Sequence, residues 1–192
     1  ALPTACPDWS VKDVVAHVLG DDLGRLSQQR DGFRLTRADL GEDLVAFVNR
    51  LNEEWVRAMR RLSPEVLCDL LRSSGEATLF LFKSLDPLEV RGPVSWAGPD
   101  PAPVWLDLAR EYTERWHHQQ HIREAVGVAG LTAPRLFAPV LATFVRALPH
   151  TFRDVEAPVG TTVQLSITGP SGGEWLLLRE TNRWLLYAGA SP

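Results

Sequence analysis

Apolar residues recur at helical spacing along most of the chain and change to strand spacing near its end. Val11, Val14, Val15, Val18 and Leu19 fall at i, i+3, i+4, i+7 and i+8, one face of a helix. Ser10 followed by Val-Lys-Asp13 is a capping-box start, with hydroxyl and carboxylate satisfying early amide donors. A first helix is expected from about Ser10 to Gln29, closed by an Asp31-Gly32 turn. Leu44, Val45, Phe47, Val48, Leu51, Trp55, Val56 and Met59 place a second helix between Leu40 and about Leu62. Ser63-Pro64-Glu65 offers an N-cap, a proline at the first helical position and a first-turn acid. It opens a third helix that runs to about Leu85 with Gly75 as a tolerated interruption. Residues Asp86 to Pro103 are rich in proline and glycine and must form a loop, long enough to cross one end of a bundle. A fourth helix spans Val104 to Val126 and stops at Gly127, and a fifth covers Arg135 to Leu148.

After Pro158-Val-Gly160 the period falls from 3.6 to 2. Val163, Leu165 and Ile167 alternate with polar residues, Gly169 to Gly173 is a turn, and Trp175–Leu178 and Trp184–Tyr187 flank Thr181-Asn182. A three-stranded meander of this size is marginal alone and needs support from the helices or another chain. The pattern predicts a mainly α protein: a four-helix bundle with an additional helix and a small C-terminal antiparallel β-meander. Residues 1–130 are expected to form the bundle, and residues 131–192 the extra helix and the meander.

Composition narrows the function classes. The chain has 20 basic and 24 acidic residues, a net charge of −4, and no basic block. Nucleic acid is therefore not an expected partner, because phosphate affinity needs concentrated positive charge. No stretch is long and apolar enough to span a membrane, no leader segment is evident, and Cys6 and Cys68 make no disulfide framework. A cytoplasmic location is the expectation. The two cysteines have no metal-like spacing and read as small hydrophobes.

The chemistry concentrates in the fourth helix. Glu114-Arg-Trp-His-His118-Gln-Gln-His121 holds three of the five histidines. With Glu114 at 0°, His118 falls near 40° and His121 near 340°, at about 100° per residue. One carboxylate and two imidazoles on one helical face form a donor set suited to a borderline metal such as zinc. His17, far upstream on the first helix, is placed to close such a site, and Asp21, one turn on, to orient its imidazole. The competing reading is concrete. Trp105, Tyr112 and Trp116 fall near 160–200° on the same wheel, so this aromatic stripe can be the core face with Glu114, His118 and His121 in solvent. His117 and His121, also four apart, are the alternative pair. Arg123 faces away, and His150 reads as a partner for a helix C-terminal dipole. If the ligand face is covered, the aromatic stripe opposite it also needs cover, and the meander is expected to supply it.

At these residues the chain resembles the DinB-like helical bundles, and among them the mycothiol-dependent maleylpyruvate isomerases. Pro3-Thr-Ala-Cys6-Pro-Asp-Trp9-Ser-Val-Lys-Asp13-Val-Val-Ala-His17 is similar to that branch's opening signature, which ends in its first ligand histidine. Glu114-x-x-x-His118-x-x-His121-Ile-Arg-Glu-Ala-Val-Gly127 resembles the second signature, with His121 where the branch commonly has aspartate. The Gly169-to-Trp175 meander is similar to part of a sterol-carrier-like C-terminal domain.

The resemblance implies a DinB-like fold and a metal held by His17, Glu114 and His118, with zinc favoured over nickel or iron on ligand softness. It also implies mycothiol or a similar thiol as cosubstrate and a small electrophile as substrate, in isomerisation or thiol transfer. His121 is then a base or a fourth ligand. Two rival classes stay open: a metal-dependent hydrolase without thiol, and a non-catalytic metal- or ligand-binding module. A monomer or a homodimer fits either.

Overall fold

The computed structural model describes residues 2–34 and 37–189. Six α-helices precede three strands: α1 Val11–Arg25, α2 Leu44–Met59, α3 Pro64–Ser84, α4 Val104–Ala125, α5 Pro134–Phe144, α6 Leu148–Thr151, β1 Thr162–Ile167, β2 Gly173–Arg179 and β3 Trp184–Ala188. The protein is mainly α with a small β appendage. Residues divide into two compact units, one of residues 1–85 and 117–130, the other of 86–116 and 131–192.

In the first unit α1 packs against α2 and α3; Val14, Ala16 and Leu19 of α1 are buried, as are Val56 of α2 and Leu67 and Leu81 of α3. The capping box forms as the sequence demands: the Asp13 amide donates to Ser10 Oγ, and the Ser10 amide donates to Asp13 Oδ2 at 3.0 Å. The other oxygen of Asp13 accepts from Arg60 Nε at 2.8 Å, tying the start of α1 to the end of α2. Burial alone would raise the Asp13 pKa, but the bonds from Arg60 and Ser10 outweigh it and hold the carboxyl below its ordinary value. Ser74 Oγ of α3 donates to the fully buried Asp22 at 2.8 Å. Gly20 lets α1 and α2 approach closely, since a Cβ there would lie 2.9 Å from Trp55 Cγ.

Helix boundaries differ from the sequence expectation where a local group intervenes. α2 starts at Leu44, because Gly41 has a φ of 83° and the Asp43 carboxylate caps the Ala46 amide at 2.8 Å. The first helix continues to Arg30, but its last turn, Leu26–Arg30, widens to π geometry. α5 ends at Phe144 and tightens to a 3₁₀ turn over Val145–Ala147, next to Pro149, which has no amide proton for the ladder.

In the second unit the proline-rich loop folds back on the start of α4. Arg91 and Ala102 pair through their backbones at 2.9 Å, and the Val104 and Trp105 amides donate to Glu89 and Pro87. Those carbonyls satisfy amides that a helix start leaves open. The aromatic stripe of α4 meets the segment that follows α4 in the chain. Trp116 stacks on Phe137 at 4.9 Å and donates through Nε1 to the Leu131 carbonyl, Tyr112 Oη donates to the Leu136 carbonyl, and the Arg146 guanidinium lies over Trp105 at 4.7 Å. These partners follow α4 closely in sequence, so the contact closes only a short loop.

The sheet has the order β1-β2-β3 with antiparallel pairing throughout, Leu165 opposite Trp175 and Leu177 opposite Leu186. It is anchored on α6 by Trp184, which packs edge-on to Phe152 at 5.4 Å and donates to the Val155 carbonyl. At the β1–β2 turn a Cβ on Gly172 would collide with the Ile167 carbonyl, so the turn accepts only glycine there.

Candidate metal centre

α1 presents His17 from the edge of its buried stripe, 6% exposed. Two contacts hold its ring: Asp21 Oδ2 lies 3.4 Å from Nε2, and the Trp9 ring lies 5.0 Å away between centroids. Trp9 is held in turn by Thr4, whose Oγ1 donates to the Trp9 carbonyl at 2.7 Å. Asp21, one turn on in α1, is thus within reach of the His17 imidazole.

On α4, Glu114 and His118 stand one turn apart, and His118 is 8% exposed. The rings of His17 and His118 meet edge-on with centroids 4.6 Å apart. One ligand atom from each of His17, Glu114 and His118 lies within 4.8 Å of the others, and Glu114 is the most accessible of the three. Around a common ion with bonds of about 2.0–2.2 Å, ligand atoms sit roughly 3.3–4.4 Å apart. The observed spacing is within a side-chain adjustment of that arrangement.

The electrostatics favour the ligating form. Burial, and then the charges that His17, His121 and His117 would carry, push the His118 pKa down to about 3. His118 is therefore neutral at physiological pH, the state in which imidazole binds a metal. Burial and His117 also lower the His121 pKa, against an opposing pull from Glu124. Two imidazoles and a carboxylate fit a divalent borderline metal in donor chemistry as well as in spacing.

The remaining histidines take other places. His121 lies next to this group, its ring centroid 5.5 Å from that of His118. His117 is exposed and packs edge-on to His121 at 4.4 Å. Arg123 Nη1 donates to the Ala129 carbonyl at 2.8 Å, fastening the end of α4, and His150 lies in α6. On α4 Trp116 packs on Phe137 and bonds to Leu131, while His118 is buried as well. The choice between a core stripe and a ligand face was therefore not exclusive.

Sequence reasoning missed Cys6. Its Sγ lies 3.3 Å from His121 Nδ1, so the residue is a polar partner rather than a small hydrophobe. The two positions are 115 apart in the chain, and no spacing rule connects them.

Residues 1–123 match the family model described as the mycothiol maleylpyruvate isomerase N-terminal domain. No curated protein and no solved structure matches the chain.

Proposed function

Because the chain belongs to the mycothiol maleylpyruvate isomerase N-terminal domain family, we propose that it is a metal-dependent enzyme of low-molecular-weight thiol chemistry. Its substrate in this reading is a small electrophile and its cosubstrate mycothiol or a similar thiol, and the reaction is isomerisation or thiol transfer. The observation that carries the reading is the convergence of His17, Glu114 and His118 within 4.8 Å.

His17, Glu114 and His118 would hold the ion, with zinc the first choice. When bound, a divalent metal supplies the positive charge that makes a coordinated thiol acidic at neutral pH. Three protein ligands rather than four leave room for such a thiol, which is the pattern of catalytic rather than structural sites. The other groups act on the proton and on ligand orientation. Asp21 steadies the His17 ring. His121, its pKa held below the ordinary value, is neutral and suited to accept a proton. In this reading residues 1–130 are the metal-binding bundle and 131–192 part of a C-terminal domain.

The test is metal analysis of untagged protein, paired with thiol consumption on a panel of small electrophiles. His118→Ala and Glu114→Ala are expected to lower metal occupancy and abolish thiol transfer while the helical circular dichroism spectrum is retained. His121→Asp should keep the metal and change the rate. A protein that carries no metal, and whose melting temperature and thiol reactivity zinc leaves unchanged, refutes the reading.

A further inference from the structure

Arg179, the last residue of β2, has two guanidinium nitrogens, Nε and Nη1, that are sealed from solvent and have no hydrogen-bond partner among the described residues. The guanidinium lies 5.9 Å over the ring of Trp184, its cross-strand neighbour. Trp184 is 3% exposed and is held by Phe152 and the Val155 carbonyl, so the surface under the guanidinium is fixed. The backbone is fixed too. The Arg179 amide donates to the Thr161 carbonyl at 2.8 Å, and its carbonyl accepts from the Gly160 amide at 2.9 Å. Arg183, across the turn, differs in having a carboxylate of its own, with Nε 3.3 Å from Glu180 Oε2.

Arg179 also lines a concave site of about 570 Å³ between the β2–β3 turn and the Val159-Gly160 turn, a size within the range of small-molecule sites. Val159 and Leu178 supply apolar wall, and Thr181 and Asn182 a polar rim. The ionic groups in the wall are two arginines and one glutamate, a surplus of one positive charge. A partly buried cation without a counter-ion is costly, and a bound anion offsets that cost.

We propose that this site binds a small organic monocarboxylate through Arg179. Nη2 is the guanidinium nitrogen left unsealed, and a carboxylate that reaches it lies along an edge shared with Nε or Nη1. That edge is the two-donor fork with which guanidinium matches a carboxylate. The hydrocarbon part of the ligand rests on Val159 and Leu178. One surplus charge suits a monoanion, whereas a phosphate dianion brings a second negative charge to a wall that also holds Glu180. None of these residues belongs to the His17, Glu114, His118 group, so the site stands apart from the thiol chemistry proposed above.

The test titrates the ¹⁵N-labelled full chain with sodium benzoate, with its uncharged counterpart benzamide, and with sodium phosphate. Proton–nitrogen spectra follow the amides of Gly160, Thr181 and Asn182 and the indole N–H of Trp184. Benzoate is expected to shift these signals saturably and to bind more tightly than benzamide or phosphate by roughly tenfold or more, the effect of hydrogen bonds to a charged group. Arg179→Gln should weaken benzoate binding by a similar factor. If Arg179→Gln fails to fold by circular dichroism, Arg179→Lys keeps the charge without the fork and should also weaken it. Shifts that grow without saturating, benzamide or phosphate binding as tightly as benzoate, or an affinity that the Arg179 substitution leaves unchanged, overturns the proposal. Metal content and thiol reactivity play no part in this readout, so the two proposals fail separately.

Discussion

Two glycines in α1 invite opposite outcomes from the same substitution. A Cβ at Gly20 would lie 2.9 Å from Trp55 Cγ, 3.1 Å from its Cβ and 3.3 Å from its Cδ1. Carbon atoms pack best at about 3.5–4.0 Å, so Gly20→Ala overlaps by roughly 0.6 Å. The atoms it meets form the root of the indole, which cannot swing aside as a flexible tip would. At Gly24 nothing lies within 4 Å of the added carbon. Alanine gains up to about 1 kcal/mol over glycine in a helix interior, while overpacking costs about 1–3 kcal/mol. Gly24→Ala, which keeps only the gain, should stabilise by about 0.5–1 kcal/mol, less if its place near the helix end weakens the propensity effect. Gly20→Ala sums to a destabilisation of about 1 kcal/mol, within a span of roughly 0–2. Urea unfolding followed by circular dichroism, with m-values compared to confirm an unchanged two-state transition, measures both. Adding Trp55→Leu to Gly20→Ala should recover part of the loss, a coupling of about 0.5–3 kcal/mol for residues in contact. Gly20→Ala stabilising as much as Gly24→Ala would refute the close approach of α1 to Trp55.

Two further outcomes follow from the same geometry. The folded-state pKa of His118 is about 3 against an ordinary 6.5, so in that interval the unfolded chain binds more protons. Stability should fall as pH drops from 6.5 towards 3 and the His118 contribution should level off below, by at most about 1.4 kcal/mol per pH unit. Chelator-treated His118→Phe should show a shallower acid slope in urea titrations, and an identical slope counts against the assignment. Gly172→Ala drives its Cβ into the Ile167 carbonyl, and overpacking of this kind costs about 1–3 kcal/mol. Loss of β-sheet amide protection with α1–α3 still protected is the expected hydrogen-exchange result; protection lost equally in both regions argues against a local turn defect.

The first and third helices were legible because each carries its own start signal and an apolar stripe. Ser10 with Asp13, and Ser63 with Pro64, act within a few residues and form the caps that the sequence implies. The end of α5 was less visible: Pro149 marked a boundary, but the change from α to 3₁₀ geometry depends on how the turn relaxes around it. Glu114 and His118 were readable from one helix's periodicity. His17 joined them through a family signature, since nothing in α1 alone points at α4. Cover of the Trp116 stripe was foreseen as a need, yet the part played by Leu131 and Phe137 had no sequence signal, because helical periodicity does not say which neighbour a face meets. The Cys6–His121 contact had no sequence signal, since it arises only from folding the N-terminal turn onto α4.

Asp13 has a consequence for how the first unit comes apart. One carboxylate oxygen serves secondary structure, holding the Ser10 amide and hydroxyl, and the other serves tertiary structure, holding Arg60. Both sets of bonds depend on the orientation of one planar group, so a turn of the carboxylate loosens both. Fraying of the first turn of α1 and release of the end of α2 are thereby coupled. Trp9, which braces His17, immediately precedes this turn. The arrangement raises the cost of opening at the helix end that lies beside the support of His17.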